Sequence, residues 1–275
     1  MCRWAAYRGE ALFIEDVVSS PAHSLVAQSH SANEARTATN GDGFGIAWYG
    51  DRETPGLYRD ILPAWSDCNL KSIANQIRSP LFLAHVRAAT SGGTRRDNCH
   101  PFVHGRWSFM HNGQIENFEQ LRRPLESMLP DQFYLARQGT TDSELIFLLA
   151  FHFGLESAPL FAFRETISFI ERLAIHLGLK PDVRFTSAFS DGNKLYAVRY
   201  ATGDIAPTLY AAPMGVNGGY CLVSEPLDDN RQSWMQIPNR SAVVLGPDGL
   251  EVSMFDTGTA DAMDGALALL AAAHP

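Results

Sequence analysis

Apolar residues in this 275-residue chain fall into short blocks of two kinds. Runs of five or six residues rich in β-branched, aromatic and aliphatic side chains occupy 44–49, 81–86, 107–111, 184–189, 194–199, 219–223, 241–245 and 250–254. Such residues fit a pleated, half-buried surface, so these runs predict strands. Asp191-Gly192-Asn193 and Pro247-Asp248-Gly249 separate two pairs of them with turn residues, which predicts antiparallel hairpins. Helical patterns lie over 117–128, 143–154 and 159–177, with a small closing helix expected over 260–273. No repeat, low-complexity tract or linker breaks the pattern, so residues 1–275 are expected to form one domain.

Composition narrows the function classes. Apolar content of 45% is ample for a core without disulfide staples. No stretch reaches the apolar length of a membrane span, and the start of the chain lacks a basic region followed by an apolar one, so neither a membrane nor secretion is expected. Cys2, Cys68, Cys99 and Cys221 have no metal-like spacing and suit a reducing cytoplasm. A net charge of 22 − 30 = −8 without a basic run argues against a nucleic-acid partner. Cys99, His100 and His104 cluster, but a metal would need more convergent ligands, so no metal or cofactor is expected.

The candidate chemistry begins at Cys2. Once Met1 is removed, this residue carries a thiol and a free amine together, and the amine can serve as general base for its own side chain. The two groups titrate near about 8.5 and about 8, so a useful thiolate and a neutral base can coexist at physiological pH. Three segments accompany it: His85-Val86-Arg87-Ala88-Ala89-Thr90-Ser91-Gly92, His111-Asn112-Gly113-Gln114, and Thr140-Thr141-Asp142-Ser143-Glu144. In order and spacing they resemble, with Cys2, the glutaminase domain of class II glutamine amidotransferases, which are N-terminal nucleophile hydrolases. Asn40-Gly41-Asp42-Gly43-Phe44-Gly45 and Ser224-Glu225-Pro226-Leu227 resemble the stand-alone members, such as YafJ-like proteins and the γ-glutamyl hydrolases of ergothioneine biosynthesis. The resemblance implies an α+β fold, a four-layer αββα sandwich of two antiparallel sheets, with which the predicted elements agree.

It also implies roles, each beside a plainer alternative. Arg87 would clamp the substrate α-carboxylate through two parallel bonds, with donors from Thr90 and Ser91; the alternative is a solvated arginine after a strand. Asn112 and Gly113 would form the oxyanion hole; alternatively Asn-Gly makes a tight turn between a strand and the helix from 117. Asp142 would hold the substrate ammonium, unless Thr140, Thr141 or Asp142 only caps a helix. His100 matches a histidine near the active site, and His111 reads as structural. Ala88 stands where many members carry an aromatic residue, which suits a substrate bulkier than glutamine.

Three functions follow from the resemblance. The first is hydrolysis of glutamine or a small γ-glutamyl compound through a Cys2 thioester. The second is a glutaminase subunit that passes ammonia to a separate synthase, since no synthase domain is legible in the chain. The third is a non-catalytic binding module of the same fold. A homo-oligomer is compatible with each.

Overall fold

The computed structural model describes residues 2–34, 39–89, 93–215 and 218–258. Among them, the first half contains β1 (Arg3–Phe13), β2 (Phe44–Tyr49), β3 (Gly56–Asp60), β4 (Arg78–Val86), β5 (Phe102–His104) and β6 (Trp107–Ile115). The second half adds β7 (Val183–Ser190), β8 (Leu195–Ala201), β9 (Tyr210–Met214), β10 (Gly219–Val223), β11 (Met235–Gln236), β12 (Ser241–Gly246) and β13 (Gly249–Met254). One sheet runs β11-β9-β10-β1-β4-β2-β3 and the other β13-β12-β8-β7-β6-β5, and the pairings are antiparallel.

Three apolar cores make four layers. Short helices α1 (Glu15–Val18), α2 (Leu25–His30) and α3 (Cys68–Gln76) bury Val17, Leu25 and Leu70 against Ala5, Phe44 and Phe82 of the first sheet. Helices α4 (Phe118–Ser127), α5 (Asp131–Ala136), α6 (Asp142–His152) and α7 (Pro159–His176) cover Phe109, Phe185 and Phe189 of the second. Between the sheets lie Trp4, Ala6, Leu83, Met110 and Ala188. Every residue from Asp142 to Ala150 is buried, as expected of a helix that is apolar nearly all round. No described helix is long and apolar enough to cross a membrane.

Most predicted strands and helices match within a few residues, and both predicted hairpins form, β7 with β8 and β12 with β13. Strand β1 is absent from the predicted set because Arg3, Arg8 and Glu10 interrupt its apolar pattern, yet it lies centrally between β10 and β4. The tight-turn alternative for Asn112-Gly113 is overturned. Strand β6 continues to Ile115, with Asn112 opposite Thr186 and Gly113 opposite Phe185. The chain turns later, where Asn117 takes a φ of 57°, a conformation that Asn tolerates. The expected helix over 260–273 lies outside the described residues.

Two histidines are packed into this framework. His85 of β4 and His100 lie with ring centroids 4.3 Å apart and are only 1% and 5% exposed. Neither ring has a hydrogen-bond partner among the described residues. Burial, reinforced by the Arg87 charge, pulls His85 down to about 3, and burial with His85 beside it holds His100 well below the ordinary value. Both are therefore neutral in the folded protein and protonate in the unfolded chain near about 6.5. Their folded-state values are depressed, so this contribution to stability is complete above that pH and is lost as pH falls below it.

The melting temperature should accordingly drop between pH 7.5 and pH 5, by the equivalent of about 2 kcal/mol from His85 and further in the same direction from His100. His100→Phe keeps an aromatic stack while removing one titrating group, so it should shrink that drop. An identical pH dependence in variant and wild type contradicts the assignment.

Candidate active site

Cys2 precedes β1 and Arg87 follows β4, and the register Arg3↔Val86 brings the two strand ends together. The Cys2 thiol lies 3.4 Å from the Ala88 N–H and 3.5 Å from the Ala88 carbonyl oxygen. Burial pushes the thiol up, while the Ala88 N–H and the positive Arg87 and Arg3 act to bring it down. Side chains alternate across a strand, so Cys2 shares the interlayer face with Trp4, and Asn112 shares it with Met110.

Arg87 is 3% exposed, which excludes the solvated-arginine alternative. The segment before β2 braces it. The Arg87 N–H donates to the Gly43 carbonyl (2.8 Å), the Asp42 N–H donates to the Arg87 carbonyl (3.0 Å), and Asp42 Oδ2 accepts from the Ala89 N–H (2.8 Å). Gly43 has φ of +113°, and a Cβ there would stand 2.5 Å from Cys99 Sγ and 2.8 Å from the Asp60 carbonyl oxygen. Only glycine fits that approach. Thr90 and Ser91 lie outside the described residues.

Asn112 is 1% exposed, and its Nδ2 has no hydrogen-bond partner among the described residues. A buried donor left unpaired costs about 1–3 kcal/mol, and Trp4 Nε1 and Ser187 Oγ are unpaired in the same way among the described residues. Beside it, any Cβ on Gly113 would meet the Arg184 carbonyl oxygen at 1.8 Å. His111 is fully engaged: Nε2 lies 3.1 Å from the Arg184 carbonyl and Nδ1 2.9 Å from Ser143 Oγ. A carbonyl only accepts, so Nε2 carries the proton; burial lowers the ring's pKa, and Nδ1 of the neutral ring accepts from the Ser143 hydroxyl, which also lies 3.3 Å from Asp142 Oδ1. This is a structural histidine.

Asp142 opens α6, but the cap is Thr141, whose hydroxyl accepts from the Glu144 N–H. The Asp142 carboxylate instead joins α6 to the end of β6: Oδ2 accepts from the Ile115 N–H (2.9 Å) and Oδ1 from the Ser143 N–H (2.8 Å). The approach to it is fastened by Asn98, which accepts from the Thr140 N–H (2.9 Å) and donates to the Gly93 carbonyl (2.9 Å). His100 makes no polar contact with these groups and lies against His85 and Phe102. Thus the fold draws Cys2 and Arg87 together through Ala88, and Asn112, Gly113 and Asp142 together through β6. Asp42 and Asn98 escaped sequence reasoning. The glycines flanking Asp42 were the one local signal of a constrained loop. Among the described residues, no three His, Cys, Asp or Glu side chains gather as a metal set.

Comparison with known proteins identifies the family. A model of the glutamine amidotransferases class-II matches residues 15–217. The γ-glutamyl-hercynylcysteine sulfoxide hydrolase of Mycolicibacterium smegmatis is 30% identical over 245 residues, 88% of this chain and 95% of that protein. Saccharomyces cerevisiae DUG3, named a probable glutamine amidotransferase, is 39% identical over 158 residues, 54% of this chain but only 44% of the yeast protein. A solved glutamine aminotransferase class-II domain protein from Silicibacter pomeroyi superposes with a TM-score of 0.76 at 38% identity, covering 94% of this chain and all of that one. The four-layer fold, the ordered motifs and these matches establish that the chain belongs to the class II glutamine amidotransferases.

Proposed function

We propose that the chain, acting as one domain in a reducing cytoplasm, hydrolyses the γ-amide of a small γ-glutamyl compound through a thioester on Cys2. The observation that carries this reading is the unpartnered Asn112 Nδ2, buried on the interlayer face that Cys2 also shares. With Met1 removed, the Cys2 amine takes the thiol proton as Sγ attacks the γ-carbonyl carbon. Asn112 Nδ2 and the Gly113 N–H receive the oxyanion, the preorganised term that usually contributes most. Arg87 holds the α-carboxylate and Asp142 the α-ammonium, which aligns the scissile bond. The C–N bond then breaks, the amine leaves with the proton held by the terminus, and water cleaves the thioester to glutamate and free thiol. The relative from Mycolicibacterium smegmatis, named as a γ-glutamyl hydrolase, supports a substrate with a substituted γ-amide. Delivery of ammonia to a separate synthase is the second reading, favoured by the 29% identity over 181 residues to the glutamine–fructose-6-phosphate aminotransferase of Lactococcus lactis, of which the match covers 26%.

Mature protein should begin at Cys2 and be labelled there by an electrophilic glutamine analogue such as a diazo-ketone, as read by intact mass and peptide mapping. Labelling at Cys68, Cys99 or Cys221, or none on protein lacking Met1, defeats the proposal.

Asn112→Ala should lower kcat by about 10²–10³ at nearly constant KM, the signature of a lost oxyanion donor. A rise in KM alone would make Asn112 a binding residue.

The clamps act in ground and transition state alike, so their loss should raise KM first. Arg87→Lys and Asp142→Asn should each reduce kcat/KM by an amount equivalent to about 2–5 kcal/mol. Asp142→Asn leaves one of the Ile115 and Ser143 N–H groups without its acceptor, so its melting temperature should fall by the equivalent of about 1–3 kcal/mol, and kcat/KM is compared on folded protein. Normal turnover of γ-glutamyl substrates in both variants would remove the substrate assignment.

A further inference from the structure

We propose that Arg3 and Glu225 form a positioning pair that holds the Cys2 main chain, and with it the terminal amine, in attack geometry. The inference rests on Cys2 being the nucleophile as proposed above. Arg3 directly follows Cys2, and its guanidinium is 1% exposed. Its Nε lies 3.0 Å from Glu225 Oε2, while Nη1 donates to the Cys2 carbonyl oxygen at 3.1 Å. One planar group thus bridges a buried carboxylate and the backbone of the terminal residue. The contact with Glu225 is ionic, since Nε and Nη2 make no hydrogen bond among the described residues, while Nη1 supplies the directed bond; a lysine has no such fork.

The carboxylate is itself held firmly. Glu225 is 1% exposed and accepts from the Asn33 N–H (2.8 Å, Oε1) and the Glu34 N–H (2.9 Å, Oε2). Its neighbour Ser224 fixes the next link. Ser224 Oγ accepts from the Trp4 N–H (2.9 Å), and the Ser224 N–H donates to the Trp4 carbonyl (3.0 Å). Ser224 therefore holds the Trp4 backbone and Glu225 the Arg3 side chain, and Arg3 in turn holds the Cys2 carbonyl.

Chemistry supplies the reason for such a grip. A chain end frays unless tied down. A terminal amine that serves as base has no preceding peptide to hold it, so its direction depends on how the Cys2 carbonyl and Cα are held. A base must reach hydrogen-bond distance of the proton it removes. Stability does not account for the arrangement, because a buried ion pair is commonly matched or bettered by well-packed apolar residues. What an apolar pair lacks is a directed bond to the Cys2 carbonyl.

Two variants separate positioning from support of the fold. Arg3→Lys keeps a charge opposite Glu225 and loses the fork. The double variant Arg3→Met/Glu225→Gln removes both charges and keeps an amide oxygen to accept from the Asn33 and Glu34 segment. For each, kcat and KM with a γ-glutamyl substrate, the pH profile of Cys2 alkylation by iodoacetamide, and the melting temperature are measured on protein shown to begin at Cys2. We expect kcat to fall on the order of 10–100-fold at nearly unchanged KM, the scale of a misplaced catalytic group. Cys2 alkylation should slow in parallel with an altered pH profile, while the double variant melts close to wild type. Wild-type kcat and alkylation in folded Arg3→Lys would overturn the pair's role, as would losses that only track the amount of folded protein. Alkylation needs no substrate, so it still reads the positioning pair if the wild type proves inactive on γ-glutamyl compounds, an outcome that would instead defeat the functional reading.

Discussion

The face-to-face contact of β1 and β4 with β6 is the constraint from which the site follows. Trp4 and Ala6, Leu83, and Met110 pack together between the sheets, so the strand faces that carry them are held in one orientation. A two-residue step from Trp4 along one strand reaches Cys2, and the same step from Met110 along the other reaches Asn112. Because successive side chains point to opposite faces, a slip of one residue in either ladder would turn its functional residue away from the interlayer space. The apolar interlayer core is thus also the alignment device for nucleophile and oxyanion donor.

Polar groups buried at this end of the sandwich are engaged to different degrees, and the difference is informative. His111, Asp142, Asn98 and Glu225 have defined partners and fix strand ends, a helix start and loops to one another. Asn112 Nδ2 has none among the described residues. Other buried atoms here, such as Trp4 Nε1, are also unpaired, but Asn112 Nδ2 lies on the face that Cys2 shares, one residue from Gly113, where it can meet an acceptor that arrives from outside. The His85–His100 stack plays a different part, filling space beside Arg87 with neutral rings that add no competing positive charge near pH 7.

Much of this architecture could be read from the chain alone, because its strands and long helices obey their own periods. Strands β2 and β10 begin and end where apolar runs meet turn residues, and α6 is evident from its unbroken apolar stretch. Strand β1 was hidden because its charged residues violate the pattern, and the buried Arg3 makes sense only beside Glu225, more than two hundred residues away. Asn112-Gly113 shows the opposite failure: a strong local turn signal is overridden by ladder bonds to β7. The candidate chemistry was legible as ordered motifs, whereas the bracing by Asp42 and Asn98 depends on long-range backbone contacts that leave little local trace.

The central claim is that the substrate carbonyl oxygen occupies the space between Cys2 and the Asn112-Gly113 edge of β6. The most direct measurement is a crystal structure of the protein beginning at Cys2, after reaction with a diazo-ketone glutamine analogue. The ketone oxygen of the adduct should lie about 3 Å from both Asn112 Nδ2 and the Gly113 nitrogen, with the α-carboxylate against Arg87 and the ammonium against Asp142. An adduct on Cys2 whose oxygen faces solvent, or whose amino-acid end lies away from Arg87 and Asp142, would contradict the account.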